Sequence, residues 1–96
     1  MKTVLLAHGD SSVLERLALA FSDLGYDVVG LARTAREAVV LAGRPGVTFA
    51  LVGERLAGRR HGAELRRVLA ETWGIDCAPL ADDFDPASTP LPAAGP

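Results

Sequence analysis

Val47-Thr-Phe-Ala-Leu-Val-Gly-Glu-Arg-Leu-Ala-Gly58 sets the architecture of the chain. It is apolar from Phe49 to Val52, then breaks at Gly53 into a polar loop that ends in glycine. A short apolar run bounded by turn residues suits a strand buried on both faces, as inside a parallel sheet. Such sheets carry their chemistry at the carboxyl ends of the strands. The position to interrogate is therefore Gly53, which has no side chain.

The segments on either side repeat the same alternation. Val4 to Ala7 is a compact apolar run and reads as a first strand. Ser12 and Glu15 match an S-x-x-E capping box. Leu14, Leu17, Phe21 and Leu24 recur at helical spacing, and Gly25 stands where a left-handed cap closes a helix, so Ser12 to Leu24 reads as helix one. Tyr26 to Ala32 reads as strand two. Thr34 and Glu37 repeat the capping box ahead of a small-residue stripe, Ala35, Ala38, Val39 and Ala42, that ends at Gly43. Arg44-Pro45-Gly46 is a turn into strand three, Val47 to Val52. A loop rich in Gly and Arg follows. Ala63 to Trp73 reads as helix three, with Leu65, Val68, Leu69 and Trp73 inward and Gly74 as its cap. Ile75 to Ala81 reads as a fourth strand, and Pro79, which lacks a ladder donor, suits an edge. Strands alternating with helices through short turns imply right-handed βαβ units and a parallel sheet.

After Ala81 the composition changes. Asp82, Asp83 and Asp85 surround Phe84, and a Pro/Ala-rich stretch runs to Pro96 without periodicity. The expected division is an ordered domain over 1–81 and a disordered tail over 82–96.

Ninety-six residues make a single domain. A hydrophobic fraction of 49% excludes disorder for most of it, and no apolar run approaches the ~20 residues of a bilayer span. Cys77 is the only cysteine, so no internal disulfide forms and a reducing cytoplasm is the expected location. A net charge of -2 gives no reason to expect nucleic acid. Nine of the ten cations are arginine; Lys2 is the single lysine.

Val4-Leu-Leu-Ala with Asp10, Leu24-Gly-Tyr-Asp-Val-Val-Gly30, Thr34-Ala-Arg-Glu-Ala-Val-Val-Leu-Ala42, Phe49-Ala-Leu-Val52, and Arg55-Leu56 with Gly58, Gly62 and Glu64-Leu65 together resemble the receiver domain of bacterial two-component response regulators. The resemblance covers residues 2 to about 81 and is most specific from helix one into strand two. It implies an α/β, flavodoxin-like, three-layer fold with four parallel strands in the order 2-1-3-4 and three helices. The family's last helix-strand-helix segment is lacking. An uncovered apolar sheet surface and an open strand-four edge are expected in consequence.

The family transfers a phosphoryl group to an aspartate at the end of strand three. A divalent cation is held by that carboxylate and an acidic pair after strand one, with a hydroxyl and a lysine on the phosphoryl oxygens. Carried over by position, the acidic pair falls on His8 and Gly9, the acceptor on Gly53 and the hydroxyl on Ala81. Asp10 lies one place past the pair. The resemblance thus implies a degenerate receiver with a vacated pocket at His8, Gly9, Asp10, Gly53 and Ala81. It implies no metal, no cofactor and no enzymatic activity. The expected role is a phosphorylation-independent interaction module with a protein partner or a second copy. The alternative is a sensor for a small ligand or anion in the emptied pocket, using backbone N–H groups at the start of helix one.

Other residues carry weaker signals. Arg55, Arg59, Arg60, Arg66 and Arg67 form a local basic patch suited to an acidic partner, weighed against a solvated helix face with i,i+4 charge pairs. His8, His61 and Cys77 are too few for a structural zinc site. His61 reads as solvated and Cys77 as a small core residue. Asp82, Asp83 and Asp85 lack calcium-loop spacing and read as solvated.

Overall fold

The computed structural model describes residues 3–44, 46–47, 49–56, 61–81, 84 and 86. Strands β1 (Thr3–Ala7), β2 (Asp27–Ala32), β3 (Phe49–Gly53) and β4 (Asp76–Leu80) alternate with helices α1 (Ser11–Asp23), α2 (Ala35–Ala42) and α3 (Gly62–Trp73). All strand pairs are parallel and the sheet order is β2-β1-β3-β4, as the alternation and the resemblance imply.

Successive residues of a strand face opposite sides of the sheet, and the core divides accordingly. Leu5 and Ala7 of β1 and Ala50 and Val52 of β3 pack under α2 and α3, against Ala38, Ala42, Leu65 and Leu69. Val4 and Leu6, with Phe49 and Leu51, pack under α1, against Leu14, Leu17 and Phe21. The β1–β2 register shifts between Val4 and Leu5, whose partners are Val28 and Gly30. The extra residue, Val29, joins the α2-side core. Gly30 leaves room there for Leu41, which a Cβ would meet.

The ends of the elements depart from the sequence reading in identifiable ways. Asp10, not Ser12, caps α1: its Oδ1 accepts the Ser12 N–H at 2.8 Å, so the helix begins at Ser11 and the Ser12–Glu15 box is not formed. An aspartate is as good a cap as a serine, and the first suitable acceptor takes the role. The α1 C-terminus is a Schellman turn. Gly25, at φ +86°, donates to Ser22 O, and Tyr26 donates to Phe21 O while its ring meets that of Phe21 edge-on at 5.1 Å. In α2, Thr34 caps as expected, with Glu37 N–H donating to Thr34 Oγ1 at 3.1 Å. Strand β3 extends through Gly53, α3 starts at Gly62, and β4 is confined to Asp76–Leu80. Trp73 is not inward but 47% exposed. It is the last residue of its helix and lies against Gly43, where a Cβ would stand 3.4 Å from the indole.

The expected bare sheet surface is absent among the described residues. Phe49, Leu51 and Leu80, on the α1 side, are all buried. Phe84 packs against this cluster with its ring stacked on Phe21 at 6.3 Å, and Pro86 is buried. Residues past β4 thus contribute cover to a face that α1 alone does not fill. On the edge, β4 pairs with β3 alone among the described residues. Pro45, Asp82, Asp83, Asp85 and the remainder of the expected tail from 87 to 96 lie outside the described residues.

Candidate functional site

The ends of β1 and β3 are neighbours, because Ala7 pairs with Val52. The next residues, His8 and Gly53, therefore meet. His8 is buried, 7% exposed, and its N–H continues the β1–β2 ladder to Ala32 O at 2.9 Å. Its imidazole lies over Gly53. A Cβ on residue 53 would stand 2.7 Å from His8 Cδ2 and 3.4 Å from Nε2. The ring is held there because Nδ1 accepts the Asp10 N–H at 2.9 Å. That bond selects the neutral tautomer with its proton on Nε2. The space left by the missing side chain at 53 is thus occupied by the residue at the end of the neighbouring strand.

The surrounding loops are tied together by backbone. Gly9 N–H donates to Arg55 O at 3.1 Å, and Arg33 Nε and Nη2 lie 3.4 and 3.3 Å from Gly9 O. Gly62 N–H donates to Glu54 O at 2.9 Å, and Arg55 bridges His61 in antiparallel fashion. A Cβ on Gly62 would run into the Gly53 carbonyl, so the start of α3 sits directly against the end of β3. Together these residues border an open cleft of about 770 Å³, lined by His8, Gly9, Asp10, Glu54, Arg55 and the β4 end from Pro79 to Ala81.

The donor set does not fit the divalent cation that the receiver resemblance implies. Asp10 and Glu54 are the carboxylates on the described lining, and Asp10 is committed to capping α1. Among the described residues no three His, Cys, Asp or Glu side chains come together as ligands. Magnesium keeps several waters but is anchored by one or two carboxylates aimed at it. Here Asp10 caps α1, Glu54 is exposed, and His8, Gly9 and Gly53 supply no side-chain oxygen. The cleft is also poorly suited to an anion. The N–H groups of Gly9, Asp10 and Ser12 are already used by Arg55 O, His8 Nδ1 and Asp10 Oδ1, and the last of these puts a negative charge at the helix start.

The structure brings His8, Gly9, Asp10 and Ala81 to one cleft with Gly53 beneath His8. Arg55 lines the cleft, Arg67 is exposed, and Arg66 is half-buried with an Nε that has no hydrogen-bond partner. Arg59 and Arg60 lie outside the described residues. His61 is exposed at the N-cap of α3 and makes no side-chain cap bond. Cys77 is half-buried in β4, and burial pushes its thiol up to about 11, against the lowering effect of Arg66 and with a small push from Asp76. Two participants escape the sequence reading: Arg33, which reaches across from the end of β2, and Phe84, an aromatic set in an acidic run. An isolated aromatic among aspartates is the one signal that points to Phe84.

No family model matches the sequence, and no curated protein matches it. Solved structures do. The fold is similar to the signal receiver domain of a modulated diguanylate cyclase from Desulfovibrio desulfuricans, at TM-score 0.77 and 27% identity over 88% of this chain and 68% of that one. It is also similar to a CheY-like response regulator receiver domain protein from Methanospirillum hungatei, at TM-score 0.73 and 22% identity over 82% of this chain and 62% of that one. The anti-anti-sigma factor PhyR from Bartonella quintana matches at TM-score 0.73 and 22% identity, over 94% of this chain and 38% of that one. This chain thus spans well under half of the PhyR chain. Among the described residues no helix is long and apolar enough to cross a membrane.

Proposed function

The domain is receiver-like, and from that premise we propose that it is a pseudo-receiver: a protein-protein interaction module of bacterial two-component-type signalling that works in the cytoplasm without aspartyl phosphorylation. The observation that carries this reading is the pairing of His8 with Gly53. The acceptor position has no side chain, and the imidazole is packed into the space an acceptor would need. The cleft is a folded, hydrogen-bonded arrangement rather than a collapsed one, which supports a domain retained for its shape. No catalytic role is assigned to any residue.

Partners are other proteins or a second copy of the chain. One structural neighbour is described as an anti-anti-sigma factor, in keeping with a domain that acts by contact. The small-ligand alternative loses ground because the Gly9, Asp10 and Ser12 amides are engaged.

Incubation with acetyl phosphate and magnesium, read by intact mass, tests the proposal. The expected result is an unchanged mass under conditions that phosphorylate a competent receiver. Stoichiometric, magnesium-dependent addition of one phosphoryl group overturns it.

A further inference from the structure

We draw no further inference here: the strongest candidate, the edge of β4, which pairs with β3 alone among the described residues and has Arg66 with its unpartnered Nε near Cys77, supports no proposal, because exposed Asp76 and Pro79 blunt it as a docking strand and nothing in the structure shows what covers it.

Discussion

At His8 and Gly53 each residue is what the other requires. The imidazole keeps its place through the Asp10 N–H, so it cannot swing aside from a new Cβ at 53 without breaking that bond. Gly53→Ala is therefore expected to destabilise the domain by about 1–3 kcal/mol, the usual cost of overpacking a filled site. In a His8→Ala background the same change is expected to cost little. The non-additivity from a double-mutant cycle, about 0.5–3 kcal/mol, measures the contact by urea denaturation. Additive losses mean the ring is not where the pairing puts it. Cys77 gives a second residue-scale expectation. Its thiol is raised by burial to about 11 from 9.0, so folding favours the protonated form. Below pH 9 that preference is fully present. Between pH 9 and 11 the unfolded chain releases the proton while the folded chain keeps it, and stability falls as pH rises. Cys77→Ser should flatten this part of the stability-pH curve, and thiol labelling by a disulfide reagent should begin near pH 11. The vacancy at Gly53 is legible in the sequence, because it ends the most apolar run. Its occupation by His8 is not, because the ring's direction depends on an Nδ1 bond to a backbone amide two residues on.

At the scale of elements, two α1 ends offer a contrast between readable and unreadable signals. Gly25 is readable: only a residue free of the Cβ penalty sits comfortably at φ +86°, and Gly25→Ala should cost about 1 kcal/mol in thermal or urea unfolding. The N-terminal end is not, since Asp10, Ser11 and Ser12 are all acceptable caps and sequence alone cannot choose among them. The observed Asp10 bond makes the choice testable. Asp10→Ala should cost about 1 kcal/mol, whereas Ser12→Ala should lie within the ±0.5 kcal/mol of an ordinary surface change. The strand order came with the receiver resemblance. The strands and most of the inward helix positions were open to pattern reading, because strands buried on both faces give continuous apolar runs at Val4–Ala7 and Phe49–Val52 and a helix packed on a sheet repeats every 3–4 residues over Leu14–Phe21. The cover supplied by Phe84 was not, because one aromatic in an acidic run has no period. Gly62 belongs with the unreadable features. It admits no Cβ because the Gly53 carbonyl stands in the way, and Gly62→Ala is expected to destabilise by about 3 kcal/mol, or to shift α3 away from β3.

For the whole molecule, the absence of a fitting carboxylate set among the described residues has a thermodynamic signature that needs no partner and no label. A ligand that binds only the folded state at a hundred times its dissociation constant raises stability by about 2.7 kcal/mol. In a domain this small, each kilocalorie moves the melting temperature by about 4–8 °C. A receiver with a competent magnesium and phosphoryl site should therefore melt more than 10 °C higher at saturating magnesium and beryllium fluoride. The chain described here offers Asp10, already bound as a helix cap, and Glu54, with His8 and Gly53 in place of two further oxygens. Its melting curve is expected to be unmoved by either additive, within 1 °C. Trp73 provides the optical signal, as the single tryptophan, half-exposed against Gly43 at the far end of α3 from the cleft. An additive that acts only at the cleft reaches Trp73 emission through global stability alone. A rise of several degrees that requires magnesium and fluoride together means that the cleft assembles a metal site from residues this arrangement commits elsewhere, and the pseudo-receiver reading then falls. An unmoved curve combined with an unchanged mass under acetyl phosphate is the joint outcome that the pseudo-receiver proposal requires.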